Sequence, residues 1–587
     1  MMGTISDKLM RIINAKEDIR QALISKGYDV PTSIPFKEYA KMISDLPCRV
    51  DSFPDIEGIV ARYSALGLTN EQMAANPVWV DKTGNGHDLQ MKNFAWKEGS
   101  GISDIYPGAL VFDGVDDWAG CDNLPLLPKE KGYSIIALRN WITRYDATQY
   151  KRPLISNLDT NDEGAFLIEY RKDENVNDVT GYYNSFTDVY IDDNNPITWQ
   201  TSSSYNGQII KKGTSKSTNK LCICKTYFGQ LSNYANAAIW EIVILDHDAT
   251  EEELTKIKDY FVKTYPWLFP DQAWTVTGKT NEDEDRATIA NITGNGNDLV
   301  LSNFGFAEGS GYGLYAENYA GGRWVQSTDR ADLTWTSYSV NITSVKVAST
   351  QLYYQSYPEQ PSFTVPSYKI KVYGLKDGQA LSYKQVTSEG QQIYKISEDG
   401  TYTLPSFPFK ANGDWYGFTL NKVQESCDIT IEQIPEYEGY LVTDGVDDKV
   451  QSSSYTMNED WTIVGDWELL SNVQVNCGIV KAQNVYLYNT ANGLLISINN
   501  PRSLQSFGTK SLHAICSDGR LYDRNWVEYK YTADQNFSIV ESSLNIGFNL
   551  NNYTQMAFKN LGIYNNQLLS KDDCIKAYNY LQTLKAK

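Results

Sequence analysis

The first 46 residues carry a hydrophobic stripe with the spacing of an α-helix. Apolar residues recur at intervals of three, four and seven positions, at Ile5, Leu9, Ile12, Ile19 and Leu23. Ser6 is suited to cap the start and Gly27 to end it, so the spacing predicts a helix over 6–26. A second helix is predicted over 35–46, with a proline in its first turn. Because two such helices bury little surface alone, residues 1–50 are predicted to form a helical hairpin that anchors or oligomerises the chain.

Beyond residue 47 the pattern changes to short segments in which apolar and polar residues alternate. Glycine, asparagine and aspartate separate these segments, and helical spacing returns only briefly. Alternation with period two places one face of a strand in a core, and Gly, Asn and Asp favour the turns between strands. The chain is therefore predicted to be mostly β.

An internal repeat divides this β region into two units. The segment TGNGHDLQMKNFAWKEGSG at 83–101 returns as TGNGNDLVLSNFGFAEGSG at 293–311, with 12 of 19 residues identical. The segment LVFDGVDD at 110–117 returns as LVTDGVDD at 441–448. The offset between the copies grows from 210 to 331 residues, so the second unit must carry about 120 additional residues between its two motifs.

The repeats predict four parts of the chain. A helical segment over 1–50 precedes a first β-sandwich over 51–267, and a second sandwich takes residues 271–329 and 438–587. Residues 330–437 alternate with period two between the turn signals KDG, SEG and EDG, so they are predicted to form a small inserted β-sandwich. Surface loops tolerate such insertions because lengthening a loop costs little entropy.

Composition narrows the classes of function. The formal net charge is −20, and no basic block interrupts it. Nucleic-acid binding depends on Lys and Arg that neutralise phosphates, so the chain is not expected to bind nucleic acid. No apolar stretch approaches the ~20 residues that span a bilayer, and charged residues interrupt the start where a signal peptide needs an apolar run. Membrane insertion and secretion by that route are therefore not expected.

The eight cysteines are dispersed along the chain. Paired C-x-x-C knuckles and nearby histidines, which a zinc site needs, do not accompany them. They are therefore predicted to be reduced and mostly buried thiols, as in a protein made in a cytosol.

The ordered motifs resemble those of a known fold family. The G-N-G-[HN]-D segment, the L-V-x-D-G-V-D-D segment and a closing strand followed by an acidic helix start are similar to the concanavalin A-like, laminin-G-type jelly roll. The resemblance covers most of 51–267 and, without the insert, of 271–587. It implies a jelly roll for each sandwich and leaves function open, because this fold hosts lectins, glucanases, adhesins and spacers.

The N-terminal segment resembles a helical segment of tailed-phage tail and fibre proteins. Residues 12–27 follow its I-x-x-A-K-x-x-I-x-x-A-I-x-x-K-G pattern, with Leu23 in the last apolar position, and a V-P pair and a second helix come next. Together with tandem laminin-G-like units, this resemblance implies a virion protein of a tailed phage, such as a crAss-like phage, made in the host bacterial cytoplasm.

The repeated D-G-V-D-D segments have three alternative interpretations. Asp-Gly is a tight-turn dipeptide, so the carboxylates could accept backbone N–H groups of a turn. Laminin-G relatives bind Ca²⁺, and hard cations favour several carboxylate oxygens, so Ca²⁺ binding is the second interpretation and catalysis the third. The candidate Ca²⁺ ligands are Asp113, Asp116 and Asp117 in the first copy and Asp444, Asp447 and Asp448 in the second.

Catalytic signatures are scarce in the sequence. Jelly-roll glucanases place acidic residues at alternate positions of one strand, and no strand-like segment here has that pattern. The nearest run, EDED at 282–285, is typical of a solvated loop. Asp81 and His87 are both replaced by asparagine in the second copy, so neither is a required ligand or base. The chain is therefore predicted not to be an enzyme, with a glycoside hydrolase or lyase built from scattered carboxylates as the alternative.

Two segments rich in tyrosine are candidates for sugar recognition. TGYYNSFTDVYIDDNN at 180–195 and QLYYQSYPEQPSF at 351–363 combine aromatic faces, on which sugar rings stack, with amides that read hydroxyl groups. Ordinary packing on strands is the alternative. The candidate ligand contacts are Tyr182, Tyr183, Tyr353 and Tyr354.

These features together predict a non-enzymatic phage virion protein, a head or tail fibre or appendage whose β-sandwich domains bind glycans or the host surface. Residues 1–47 are predicted to attach it to other virion proteins and to further copies of itself, with a trimer favoured. The alternative functions are a capsule polysaccharide depolymerase and a capsid decoration protein without a ligand.

Overall fold

The computed structural model describes residues 53–586 with gaps, together with residues 16, 17, 19, 20 and 35. The gaps are 128–132, 144–150, 160–166, 172–186, 191–196, 203–217, 230–232, 308, 328–330, 347–349, 355–361, 377, 411–412, 421–425, 471–476, 483–484, 491–492, 499–504, 508–511, 531–540, 547, 550–551 and 554.

The predicted helical hairpin therefore lies almost entirely outside the described residues. Within it, Ile19 is helical, and Arg20 pairs with Glu17 at 2.7 Å. The other residues of the predicted apolar stripe lie outside the description, and they are Ile5, Leu9, Ile12 and Leu23.

The chain divides into two compact units. One contains Met1–Ile56 and Glu252–Thr264, and the other contains Glu57–Glu251 and Tyr265–Lys587. In the first unit, Phe53 packs edge-to-face on Tyr260 with ring centroids 4.9 Å apart. The second unit holds every strand of the described residues.

Helices are few between residues 53 and 586. The α-helices there are α1 (Asn70–Ala75), α2 (Glu251–Thr264) and α3 (Lys571–Thr583), and a 3₁₀ turn covers Pro266–Leu268. Ser570 caps α3, because its hydroxyl accepts the Asp573 N–H at 3.1 Å. None of the described helices is long and apolar enough to cross a membrane.

The first sandwich is built from two antiparallel sheets. One has the order β10-β11-β7-β13-β5-β4, with β1 also paired to β13, and the other has the order β2-β3-β6-β12-β8-β9. Its described strands are β1 (Ile59–Ser64), β2 (Val78–Trp79), β3 (Leu89–Lys92), β4 (Gly101–Ile102), β5 (Leu110–Asp113), β6 (Trp118–Cys121), β7 (Tyr133–Thr143), β8 (Lys151–Ser156), β9 (Leu167–Arg171), β10 (Thr187–Tyr190), β11 (Ile197–Ser202), β12 (Leu221–Ile223) and β13 (Asn236–Leu245).

The second sandwich is interrupted by the insert, so its strands come in two groups. The first group is β14 (Gln272–Thr275), β15 (Thr288–Ile289), β16 (Leu299–Ser302) and β17 (Gly311–Leu314). The insert follows with β18 (Trp324–Gln326), β19 (Ala331–Trp335), β20 (Ser339–Val345), β21 (Thr350–Tyr354), β22 (Phe363–Val365), β23 (Tyr368–Tyr373), β24 (Leu381–Thr387), β25 (Gly390–Ile396), β26 (Gly400–Leu404), β27 (Phe407–Phe409), β28 (Trp415–Leu420) and β29 (Ser426–Ile434).

The second sandwich resumes after the insert. Its remaining described strands are β30 (Glu436–Val442), β31 (Lys449–Thr456), β32 (Trp461–Leu469), β33 (Cys477–Ala482), β34 (Val485–Thr490), β35 (Gly493–Ile498), β36 (Gln505–Phe507), β37 (Leu512–Cys516), β38 (Arg520–Asp523), β39 (Glu528–Lys530), β40 (Glu541–Ile546), β41 (Phe548–Asn549), β42 (Asn552–Tyr553) and β43 (Met556–Asn565). Its sheets have the orders β17-β30-β43-β32-β37-β38-β39, with β14 paired to β43, and β15-β16-β31-β40-β33-β34-β35-β36.

The predicted mostly β architecture, two sandwiches with a third inserted in the second, is confirmed. The period-two pattern that led to it is visible in β3, where Leu89 and Met91 are buried while Gln90 and Lys92 are exposed. The equivalent strand β16 repeats this alternation. Burying an apolar side chain of this size stabilises the folded state by about 1.5–3 kcal/mol. The apolar face of each strand therefore determines which side of the strand faces the core.

Strand pairing corrects the predicted start of the insert. Trp324 in β18 already pairs with β21, and the insert's two sheets have the orders β18-β21-β28-β24-β25 and β19-β20-β29-β23-β26. The insert therefore fills the connection between β17 and β30, from Tyr315 rather than from residue 330. Strand β18 has only three residues, which is too few for alternation to reveal it in the sequence.

The last strand of each sandwich lies at the centre of a sheet. Strand β13 pairs with β7 along one edge, while β1 and β5 share its other edge. Strand β43 is held in the same way by β32, β14 and β30. Nine of the ten residues of β13 are buried, so both of its faces are covered, and a continuous apolar run is what such a strand requires.

The two sandwiches differ in the polar groups beside this central strand. In the first, Arg62 Nε lies 2.6 Å from Glu241 Oε1, with both side chains buried, and the Tyr265 hydroxyl donates to Glu241 Oε2 at 2.7 Å. The strand registers place Ala273 and Asn560 at the equivalent positions of the second sandwich. A buried ion pair in one copy is therefore replaced by a neutral pair in the other.

We expect Arg62→Ala to destabilise the first sandwich by about 3–5 kcal/mol, because it removes the guanidinium beside a buried carboxylate. The double variant Arg62→Ala with Glu241→Asn installs the residues of the second sandwich and should recover part of that loss. Hydrogen exchange of the β1 and β13 amides, read by mass spectrometry, measures this sandwich separately. A double variant less protected than Arg62→Ala alone would contradict this account.

Candidate functional site

The first D-G-V-D-D segment forms a turn that is supported by its own carboxylates. Asp113 Oδ1 accepts the N–H groups of Val115, Asp116 and Asp117 at 2.8, 3.2 and 3.3 Å. Asp117 Oδ2 in turn accepts the Asp113 N–H at 3.1 Å. Gly114 lies in the left-handed region with φ of 77°, where a side chain would be strained. The geometry is that of the turn interpretation.

The second copy repeats this arrangement at the end of β30. Asp444 Oδ1 accepts the N–H groups of Val446 and Asp447 at 2.7 and 3.3 Å, and Asp448 Oδ2 accepts the Asp444 N–H at 2.7 Å. Gly445 has φ of 75°. A Cβ at this glycine would lie 2.8 Å from the Gln555 nitrogen, so the position excludes a side chain by contact as well as by conformation.

Each loop also gathers three carboxyl groups within reach of one cation. In both copies the candidate ligand atoms lie within 4.8 Å of one another. Asp117 Oδ1 and Asp448 Oδ1 are buried and find no hydrogen-bond partner among the described residues. Burial raises the pKa of Asp117 to about 6 and that of Asp448 to about 7, so burial outweighs the hydrogen bonds that favour the charged forms. Ca²⁺ binding at these loops stays a prediction.

The T-G-N-G loops are each held by a side-chain oxygen that accepts a backbone N–H group, and this oxygen need not be charged. Asp81 Oδ1 accepts the Arg62 N–H at 3.1 Å, and Asn291 Oδ1 accepts the Ala273 N–H at 3.2 Å in the second copy. An asparagine oxygen is as good an acceptor here as a carboxylate, so the exchange between copies preserves the turn. His87 contributes its backbone carbonyl, which accepts the Tyr63 hydroxyl at 2.6 Å, and the carbonyl of Asn297 accepts the Trp274 indole N–H at 2.9 Å in the second copy.

The predicted sugar-contacting tyrosines fall in different environments. Tyr182 and Tyr183 lie outside the described residues. Tyr354 is buried in the core of the insert, where its ring stacks on Tyr416 at 5.0 Å. Tyr353, the next residue on β21, is half-buried and points to the opposite, outer face of the sheet.

This outer face carries a small aromatic platform, formed by Tyr353, Trp415 and Gly417. The two rings lie 5.9 Å apart at an angle of 69°, and both side chains are half-buried. Gly417 stands directly opposite Tyr353 and puts no side chain between the rings. A Cβ there would lie 2.0 Å from the Leu352 carbonyl oxygen, so glycine is required at this close approach of strands.

A polar cavity lies at the hairpin of β24 and β25 in the same sheet. Its volume is about 350 Å³, and its lining includes Gln385, Gln391, Gln392 and Phe407. Gln391 lies in the same cross-strand row as Trp415, through Val386 of β24, whereas Gln385 and Gln392 lie in the row of Tyr416 on the opposite face of the sheet. Amides and one aromatic face provide donors, acceptors and an apolar wall in a space large enough for one sugar unit.

Sequence reasoning missed Trp415 and this polar cavity. The alternation in DWYGFTL was the available signal, because it puts Trp415 and Gly417 on the face opposite Tyr416. The sequence-based search selected the tyrosine-rich segments, which do not contain Trp415. The glutamines of the cavity come from the hairpin of β24 and β25, which is separated from Trp415 in sequence.

Comparisons with known proteins identify no family for this chain. No family model matches, and no curated protein matches. Among solved structures, a Trypanosoma rangeli sialidase in complex with 2,3-difluorosialic acid is similar with a TM-score of 0.23 and 13% identity, over 36% of this chain and 34% of the sialidase. The binding domain of botulinum neurotoxin serotype D/C VPI 5993 is similar with a TM-score of 0.25 and 10% identity, over 78% and 98%. The chain thus spans about a third of that sialidase, and similarities this low support no argument about function.

The prediction that the chain is not an enzyme is corrected by this comparison. Several of the similar solved structures are sialidases, which are glycoside hydrolases. The prediction of a non-enzymatic chain is therefore not kept. The prediction depended on the absence of an acidic pattern within one strand, although carboxyl groups from distant segments, the alternative given above, can also meet in a folded site.

We expect the second sandwich to lose stability as the pH rises through the raised pKa of Asp448. A carboxyl whose pKa is higher in the folded than in the unfolded chain stabilises the fold fully below pH ~4 and no longer does so above pH ~7. Asp448→Asn stays neutral, so its unfolding free energy should fall less between pH 4 and pH 7, by on the order of 2–4 kcal/mol. Chemical denaturation at several pH values measures the difference.

Asp447→Asn changes an exposed carboxyl of the same loop and should keep the parental pH dependence. An Asp448→Asn variant with the parental slope would refute the assignment. Calcium added at pH 7 tests the metal interpretation in the same assay, because a cation bound by Asp448 would stabilise the parent and not this variant.

Proposed function

We propose that the chain is a tailed-phage virion appendage that binds glycans on the host surface through the aromatic platform of its insert. The observation that carries the proposal is the pair of half-buried rings, Tyr353 and Trp415, on an outer sheet face. The virion assignment is supported by the resemblance of residues 12–27 to a phage tail segment and of both sandwiches to laminin-G-type units.

Sugar binding suits this surface for a physical reason. The C–H face of a sugar ring packs on an aromatic ring, while its hydroxyl groups need directional partners. The platform offers the rings, and Gln391, in the cross-strand row of Trp415, offers an amide donor and acceptor. Lys384 lies in the cross-strand row of Tyr353 and Gly417, where its ammonium can meet a carboxylate or a hydroxyl group of an acidic glycan.

The acidity of the chain is consistent with a particle-surface role. A net charge of −20 favours solubility and discourages adhesion to nucleic acid. Recognition is then left to a local surface, where aromatic and amide groups rather than a general charge provide the selectivity.

We expect Trp415→Ala and Tyr353→Ala each to weaken glycan binding about tenfold, because each removes one stacking face. A glycan array that contains host capsule and cell-wall polysaccharides identifies a ligand, and calorimetry then gives the dissociation constants. Tyr373→Ala is the matched control, since Tyr373 is an exposed ring on the other sheet of the insert and should leave binding unchanged.

Equal binding by the platform variants and the parent would refute the proposed site, and an array without binding would refute the proposed function. The same incubations are to be assayed for newly released reducing ends. Cleavage would reassign the chain to the capsule depolymerases, because binding alone releases no sugar.

We also expect deletion of residues 1–47 to abolish self-association and attachment to virion proteins, because it removes the apolar stripe that needs a partner. Light scattering gives the oligomeric state of the full chain, for which a trimer is proposed, and of the truncated chain. Circular dichroism should show that the sandwiches remain folded. A truncated chain that assembles like the parent would overturn the proposed anchor.

A further inference from the structure

A second cavity lies where the insert joins the second sandwich. Its volume is about 670 Å³, and it is lined by the segments that lead into and out of the insert, next to β17 and β30. Tyr315 and Glu317 line it from the entering segment, and Ile434 and Glu436 line it from the leaving one. This root cavity is separate from the platform, because Tyr353 and Trp415 are not among its lining residues.

Aromatic rings form much of the wall of the root cavity. The lining rings are those of Tyr315, Tyr354, Phe363, Tyr368 and Tyr416. Tyr354 and Tyr416 are nearly parallel, at 15°, whereas Phe363 is turned by 64° from Tyr354 with centroids 6.0 Å apart. Rings in different orientations can present more than one π-face to a common space, which is the arrangement that holds a cation.

The charged residues that line the root cavity are mostly acidic. Its described lining contains three carboxylates, Glu317, Glu436 and Glu438, against one ammonium, Lys369. Glu317 is buried and held in place, because its oxygens accept the Tyr416 hydroxyl at 2.6 Å and the Trp324 indole N–H at 3.1 Å. Both of these donors are neutral groups, and the two bonds fix the orientation of the carboxylate.

The pKa of the Tyr315 hydroxyl, at the edge of the root cavity, is raised partly by nearby acidic groups. Burial raises its pKa most, and Tyr338, Glu432, Glu438 and Glu282 raise it further. Three carboxylates therefore lie close enough to oppose a second negative charge at this wall. An anionic ligand would meet the same opposition, whereas a cation would be attracted.

We propose that the root cavity binds an organic cation, a protonated or quaternary amine carried by a host-surface polymer or by a free metabolite. Aromatic walls attract a cation through their quadrupoles and exclude water from its alkyl groups, and the carboxylates add Coulomb attraction. A bare metal ion suits the site less well, because Ca²⁺ or Mg²⁺ needs several oxygen ligands at once and the wall offers mainly rings. The volume accommodates a trimethylammonium group together with a part of its carrier.

Choline and its uncharged isostere 3,3-dimethyl-1-butanol test this assignment on the full chain. The two have the same shape, so the difference in their affinities isolates the charge. We expect saturable choline binding by calorimetry, with a dissociation constant about 5- to 30-fold lower than that of the alcohol. Affinity should fall with rising salt. Equal affinities, or no saturable choline binding, would overturn the proposal.

Variants then locate the site. The rim double variant Glu436→Gln with Glu438→Gln changes two exposed side chains and should weaken choline binding at least threefold, and Tyr315→Leu should do so as well. Glu398→Gln, an exposed carboxylate of the insert outside the cavity, is the control and should bind like the parent. Binding that survives both cavity changes would place the cation elsewhere and refute the assignment.

The outcome is independent of the glycan platform. Trp415→Ala should leave choline binding unchanged, so failure of the proposed glycan function and failure of the root cavity can be told apart. A choline-bearing polysaccharide that displaces bound choline at a lower concentration of choline units than free choline needs would identify the polymer as the ligand source. If the polysaccharide displaces choline no better than free choline does, the ligand source is the metabolite.

Discussion

The backbone ladder around the last strand of each sandwich is the interaction on which the fold depends. Strand β13 takes β7 on one edge and both β1 and β5 on the other, so it satisfies backbone groups of three earlier strands. Ser64 pairs with Glu241, which lies far along the chain. The entropy cost of closing so long a loop is therefore incurred before the backbone hydrogen bonds of this pairing can stabilise the fold. Until β13 pairs with them, β1 and β5 have exposed edges, and nine of the ten residues of β13 are buried once it does.

The connections between strands obey a second constraint, the supply of acceptors for turn amides. Asp113 and Asp444 each accept several consecutive N–H groups, and glycine takes the left-handed position beside them. This chemistry repeats because the turns repeat. The buried pair Arg62–Glu241 does not repeat, since Ala273 and Asn560 replace it, so polar groups beside the central strand can vary while the ladder stays.

The insert concentrates the features that suggest binding. It replaces the short connection that links β4 to β5 in the first sandwich, and surface loops admit such additions at low cost. The root cavity lies at the junction, because the segment that enters the insert and the segment that leaves it both line the cavity. The outer sheet face creates the platform. Both sites thus follow from where the insert is placed as well as from its own sequence.

The sequence by itself determined the mostly β class, the two repeats, the presence of the insert and the turn chemistry of the acidic loops. Each of these rests on local period or on spacing along the chain. Only the tertiary structure decided that Tyr354 is buried while Tyr353 faces outward next to Trp415, that the insert begins at Tyr315, and that Glu317 meets several aromatic rings. These facts depend on register and on contacts between distant strands, and alternation within one strand does not encode them.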